Sequence, residues 1–226
     1  MTESRALRDR VAVFEDRRHA GKLLAEHLEG FRNTDSVLLA IPSGGVPVAV
    51  EIASVLTLPM DLIIVRKLQI PDNPEAGFGA MGPGGEVVLN QDLMTRLALS
   101  AEALSEQREM TRAIIEKRER LLRGGKPFPA VKDRAVIVVD DGLASGYTML
   151  SAVRFLRKMS VRRLVVAVPT GPLKTVEALL PEVDELFCLN LRAGPFFAVA
   201  DAYRHWHDLT DAEVMSLLQV LRNPPA

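Results

Sequence analysis

Cysteine is almost absent from this chain. One residue, Cys188, stands among 226, which excludes an internal disulfide and matches the usage of a reducing cytosol. Aromatic residues are scarce, at 5%, so any ring-stacking surface must be built from few side chains. An excess of one charge is also missing. Lys and Arg number 28 against 29 Asp and Glu, a net charge of −1, which gives no electrostatic reason to expect nucleic acid or an anionic membrane as partner. The longest apolar runs, such as Val161–Pro169 and Ala135–Val139, fall far short of the ~20 residues a membrane span needs. The opening stretch MTESRALRDRVAVFEDRR is charged from the start and has no apolar h-region, so no secretory signal is expected. These absences predict a soluble, cytoplasmic protein with neither membrane nor nucleic acid as partner.

What is present is an ordinary globular balance, 48% hydrophobic and 25% charged, at a length that suits one domain spanning 1–226. Short Val/Ile/Leu-rich runs alternate with amphipathic stretches of helical length. Ser36–Ile41, Met60–Val65, Ala135–Val139, Arg163–Val168 and Asp184–Leu189 are nearly continuous in hydrophobicity. That pattern marks strands of a parallel sheet covered on both faces. Helices are expected over Val46–Leu58, Tyr147–Met159 and Leu173–Leu180. The alternation predicts an α/β fold with right-handed crossovers.

Three regions depart from it. Asp16–Phe31 predicts a helix capped by Asp16, with Ala20, Leu23, Leu24, His27 and Leu28 on one side. Gln69–Gly85 is dense in Pro and Gly and predicts a long loop with at most one short strand, with Glu86–Asn90 closing a hairpin after it. Ser100–Arg123 predicts a long charged helix ended by Gly124–Gly125. Glu116–Arg120 and Glu119–Arg123 there have the favourable acid-first order. Seven basic residues lie between Arg108 and Lys126; they are read as a solvated face over a packing stripe of Leu104, Ile114, Ile115 and Leu121 rather than a nucleic-acid surface. His205 and His207 lack the Cys or acidic cluster that would complete a metal site.

The segment Val136–Thr148, VIVVDDGLASGYT, carries the chemistry. Its apolar run ends at Val139, which places Asp140 and Asp141 at the carboxyl end of a buried strand, the edge where open α/β sheets bind ligands. Gly142, Ala144, Ser145 and Gly146 are small enough for a tight turn. Thr148 then falls at a helix start, where free N–H groups and the helix dipole favour an anion. Carboxylates suit ribose hydroxyls or hydrated Mg²⁺, and the cradle suits a phosphate.

This segment closely resembles the phosphoribosyl pyrophosphate (PRPP) motif of type I phosphoribosyltransferases. The resemblance implies that Asp140 and Asp141 take the ribose hydroxyls and that Gly142, Leu143, Ala144, Ser145, Gly146, Tyr147 and Thr148 form the 5′-phosphate loop. It implies a Rossmann-like, doubly wound, mainly parallel sheet with a core at about 35–190, a small hood from about 1–33 and 191–226, and here an added long helix. Ser43, Gly44 and Gly45, after the first strand, would form the pyrophosphate loop, although family members often carry Arg or Lys where this chain has Ser43. Arg66 and Lys67 would balance the charge of departing pyrophosphate, and Gln69–Gly85 would be the closing loop. Phe196, Phe197, Tyr203 and Trp206 fall in the hood, with Phe197 the expected base-stacking residue. Mg²⁺ would be held through PRPP rather than by direct protein ligands. The acid that the hypoxanthine-guanine members place three residues after the acidic pair is Ala144 here, which argues against that specificity, although other purine and pyrimidine members lack it too. The implied activity is transfer of a phosphoribosyl group from PRPP to a nucleobase-like nitrogen acceptor, by a homodimer. The implied alternative is a non-catalytic PRPP- or nucleotide-binding regulator. A receiver- or phosphatase-like protein using Asp140–Asp141 for Mg²⁺ would leave LASGYT unexplained.

Overall fold

The computed structural model describes residues 1–70 and 73–222. The chain runs α1 (Arg17–His27), β1 (Val37–Ala40), α2 (Gly45–Leu56), β2 (Met60–Leu62), β3 (Arg66–Ile70), β4 (Asn73–Met81), β5 (Val87–Leu89), α3 (Gln91–Arg96), α4 (Ala101–Arg123), β6 (Ala135–Val139), α5 (Tyr147–Lys158), β7 (Arg163–Pro172), α6 (Leu173–Leu179), β8 (Glu185–Arg192) and α7 (Asp211–Arg222). Five strands form a parallel sheet in the order β2-β1-β6-β7-β8. Every residue of β1 and β6 is buried, because apolar side chains on both faces meet helices. From β1 the chain winds to β2, and from β6 it winds the other way to β7 and β8. The winding therefore reverses between β1 and β6, and their carboxyl ends open a crevice there. The fold is the doubly wound α/β class expected.

The expected helices are present. Asp16 caps α1 by accepting from the His19 amide at 2.8 Å. α1 and α7 both pack on α2, and Phe14 bridges to Tyr203, joining the two ends of the chain as one cap over the sheet.

Three expectations are corrected. The Pro/Gly-rich segment 69–85 is mostly strand: β3, β4 and β5 form an antiparallel sheet, while Pro71 and Asp72 lie outside the described residues. Gly79 is a strand residue because the neighbouring strand passes too close for a side chain, and a Cβ there would sit 2.3 Å from the Val88 carbonyl. The second strand stops at Leu62, and Ile63–Val65 are a buried connection into the second sheet. On α4, Ile114 and Leu121 are 38% and 43% exposed. The inward stripe is Thr111, Ile115, Arg118 and Leu122, spaced so that one helix face meets the core. Arg123 also turns inward, binding both carboxylate oxygens of Asp61 at 3.0 Å rather than following the Glu119 spacing.

Candidate functional site

The crevice at the winding reversal is a cavity of about 600 Å³. Asp140 and Asp141 leave the end of β6 into it, and Gly142, Leu143, Ala144, Ser145, Gly146 and Thr148 line one wall. The turn is anchored from below: the Leu143 amide donates to the Thr170 carbonyl on β7 at 2.9 Å. The Thr175 hydroxyl donates to the Ala144 carbonyl at 2.9 Å. Gly146 has φ +82°, a left-handed conformation that lets the chain turn straight into α5. Tyr147, the first residue of α5, instead packs against the core.

Ser43 and Gly44, after β1, form the opposite wall. The approach is close. A Cβ on Gly44 would lie 1.9 Å from Asp141 Oδ2, so only glycine lets this turn sit against the acidic pair. Gly45 opens α2 against the Val139 carbonyl, where a Cβ would lie 2.6 Å away.

Successive residues of a strand point to opposite sides, and this separates the two expected cations. Lys67 lines the main cavity. Arg66 lines a neighbouring cavity of about 430 Å³ with Lys117, Arg118 and Asp211. Ser43 borders both. Burial, followed by the positive charge of Arg118, holds Arg66 below its ordinary value.

Phe197 is not brought to the acidic pair. It lines a third cavity of about 650 Å³ with Lys174 and Arg192, beyond the Ala144–Ser145 turn. The aromatic residue in the main cavity is Trp206, beside Val199 and Leu209. Tyr203 is buried beneath, and its hydroxyl donates to the Asp141 carbonyl at 2.5 Å.

Two arginines were missed in the sequence. Arg17 Nε donates to Asp141 Oδ2 at 2.8 Å and Nη1 to the His207 carbonyl at 2.9 Å, with its guanidinium 3.8 Å from the centre of the Trp206 ring. The available signal was periodicity, since Arg17 shares the buried face of α1 with Ala20, Gly21 and Leu24. Arg118 Nη2 donates to Ser43 Oγ at 2.9 Å and to Asp211 Oδ1 at 2.6 Å. It too falls on an apolar stripe, that of α4.

Burial and the adjacent Asp141 charge push the Asp140 carboxyl well above its ordinary value. Burial also raises Asp141, and the Arg17 guanidinium opposes that shift. Two crowded, desolvated carboxylates attract hydroxyl donors or cations. The opposite wall is a turn with a helix start, suited to an anion. The crevice is therefore complementary to a ligand with hydroxyls at one place and phosphate at another.

The family model of the phosphoribosyl transferase domain matches residues 14–199. A Mycobacterium tuberculosis protein whose name assigns it provisionally to the phosphoribosyl transferases is 37% identical over 208 residues, 92% of this chain and 47% of that protein. The chain thus spans about half the length of the curated relatives it matches. The solved structure of TT1426 from Thermus thermophilus is 38% identical, with a TM-score of 0.73 over 91% of this chain and 97% of that one. A hypoxanthine phosphoribosyltransferase from Staphylococcus aureus shares the fold alone, at 14% identity and a TM-score of 0.50 over 89% of this chain and 87% of that one. Domain match, identity and crevice agree, and the chain belongs to the phosphoribosyl transferase family.

Proposed function

We propose that the protein binds PRPP and transfers its phosphoribosyl group to a nucleobase-like nitrogen acceptor, releasing pyrophosphate. The supporting observation is the convergence on one cavity of the Asp140–Asp141 pair, the Gly142–Thr148 turn, the Ser43–Gly44 turn and Lys67. In this reading the acids accept from the ribose hydroxyls, and the turn amides with the Thr148 hydroxyl hold the 5′-phosphate. The bond from C1 to the pyrophosphate oxygen breaks, a bond from the acceptor nitrogen to C1 forms, and that nitrogen loses a proton. Lys67 opposes the charge gathering on the leaving group. Val199, Trp206 and Leu209 form the apolar side of the cavity, where a flat acceptor would lie.

The crowded carboxylates and adjoining anion cradle fit Mg²⁺ bound through the ligand's own oxygens, with Asp140 and Asp141 accepting from its water shell. Bound there, Mg²⁺ would neutralise charge on the pyrophosphate group.

A regulator that binds PRPP or a nucleotide without turnover is the second reading, favoured by one contact: Arg17 already donates to Asp141 Oδ2, one of the two oxygens that could accept from a ribose hydroxyl. Incubation with Mg²⁺, PRPP and a panel of bases, following pyrophosphate release, separates the two. Turnover with any base establishes transfer, while tight PRPP binding without turnover across the panel establishes the regulator. If Asp140→Asn with Asp141→Asn leaves PRPP affinity unchanged, both readings fail.

A further inference from the structure

The long helix α4 presents a second face that the fold leaves uncovered. Its inward stripe, Thr111, Ile115, Arg118 and Leu122, meets the core. Roughly a quarter turn around the helix, Met110 is 52% exposed beside the exposed Ile114 and Leu121. Ala103, Gln107, Met110, Ile114, Lys117 and Leu121 follow one another at alternating steps of four and three. That spacing is the seam of a two-stranded coiled coil, and the 23 residues of α4 carry it for about 34 Å. Lys117 fits such a seam by laying its aliphatic stem along it while its ammonium stays in water. Leu209 adds apolar surface alongside, in the cavity that Ile114, Lys117 and Leu121 line. Charge is placed on the outer flank. Arg118 and Arg123 are committed to Asp211 and Asp61 within the fold, whereas among the described residues Glu106 and Arg120 have no ion-pair partner.

We propose that this seam is where two copies of the chain meet, α4 against α4 and antiparallel about a two-fold axis. A two-fold contact is self-complementary, so each pairing in it occurs twice. With Met110 of one copy opposite Ile114 of the other, Ala103 falls opposite Leu121, small against large, and Gln107 falls opposite Lys117. In the same register Glu106 on the flank of one helix lies beside Arg120 of the other. The parallel arrangement instead stacks Lys117 on Lys117 and sets Glu106 beside Thr111 and Arg120 beside Gly125. The charges therefore select the antiparallel pair. One helix from each copy gives an interface near or below the low end of the roughly 1,200–2,000 Å² of stable complexes. The dimer is accordingly reversible, with a dissociation constant on the order of micromolar. Nothing in this pairing depends on what the cavity at the end of β6 binds.

Sedimentation velocity of the full chain over roughly 1–100 μM, which brackets that value, tests the dimer. The mass is expected to rise from one chain to two across the range. Ile114→Glu puts an unpaired carboxylate into the seam and is expected to keep the chain monomeric throughout. The side chain is exposed in the single copy, so the melting temperature at low concentration should match the wild type. Met110→Glu, at an equally exposed position, is expected to do the same and stands in if Ile114→Glu does not fold. Glu106→Arg and Arg120→Glu each set like charges across the pair. Each is expected to weaken dimerisation about tenfold, because the contact occurs twice, and the two combined should recover the wild-type constant within about twofold. A chain that stays monomeric over the whole range overturns the dimer and leaves the seam to a helix of a different protein. A dimer that Ile114→Glu and Met110→Glu leave intact lies on another surface and overturns it equally. Loss in both charge reversals without recovery in the double variant overturns the antiparallel register.

Discussion

Burial and the neighbouring Asp141 raise the Asp140 carboxyl well above its ordinary value, so at the scale of this residue folding favours the neutral form. The stability tied to that form is fully present below the unfolded value and is lost as pH rises through the raised folded value. At neutral pH an ionised Asp140 is therefore destabilising. Asp140→Asn is expected to raise the melting temperature at neutral pH, by about 2–4 °C for each ~1 kcal/mol relieved in a domain of this size. The gain should narrow towards zero near pH ~4, while PRPP affinity falls. Scanning calorimetry of both proteins across that range checks it, and a gain independent of pH would refute the electrostatic cause. Arg17 has the opposite sign. Its side chain is 8% exposed and its partner Asp141 14%, so Arg17→Gln leaves a buried charge without its cation, at a cost of about 3–5 kcal/mol. Urea denaturation of Arg17→Gln, Asp141→Asn and the double variant isolates the pair. The double variant should recover most of the loss; if it does not, packing of Arg17 on Trp206 is the larger effect.

At the scale of elements, the strand–turn–helix unit from β6 to α5 has the fewest alternatives. Gly146 needs φ +82° to start α5, and a Cβ there would lie 2.6 Å from Thr175 Cγ2. Gly146→Ala is expected to cost about 1–2 kcal/mol from the left-handed backbone alone, with further loss from crowding, and to weaken phosphate binding. Gly194→Ala, with nothing within 4 Å of its Cβ, is the control that should change neither. Thermal melts and orthophosphate titration read both effects. This unit was legible in the sequence because each of its signals is local: a buried run, two acids, small residues and a helix start fall within Val136–Thr148. The β3–β4 pair was not legible, because Gly77 and Gly79 are set by the closeness of neighbouring strands rather than by a turn. Arg17 and Arg118 were hidden for another reason. Their partners lie 124 and 75 positions away, and helical spacing says that a side chain points inward but not what it meets. The placement of Phe197 was hidden similarly, since aromatic character puts a residue near apolar surface without saying which cavity it lines.

At the scale of the whole molecule, the cavity at the end of β6 is tied to the far edge of the sheet. The turn's Leu143 amide donates to Thr170 on β7, and the Thr170 hydroxyl donates to Asn190 Oδ1 on β8 at 2.7 Å. Asn190 Nδ2 in turn donates to the Leu7 and Arg10 carbonyls of the N-terminal segment. That segment lies along β8, where the Thr2 amide donates to the Leu186 carbonyl at 2.9 Å and the Cys188 amide to the Thr2 carbonyl at 3.0 Å, so the edge strand is covered. Cys188 is fully buried there, and burial pushes its thiol up, leaving it inert in the closed protein. Its alkylation therefore reports opening of β8. If that opening also removes Thr170 from beneath the turn, a ligand that binds only the closed form must suppress it. At PRPP near 100 times its dissociation constant the linkage amounts to about 2.7 kcal/mol, or roughly a hundredfold slower alkylation. Iodoacetamide labelling of Cys188, followed by mass spectrometry with and without PRPP, is expected to show that protection. A protein that binds PRPP yet labels at an unchanged rate would show that β8 and the N-terminal segment open without disturbing the site. The chain of hydrogen bonds from Leu143 to Leu7 would then carry packing but no coupling.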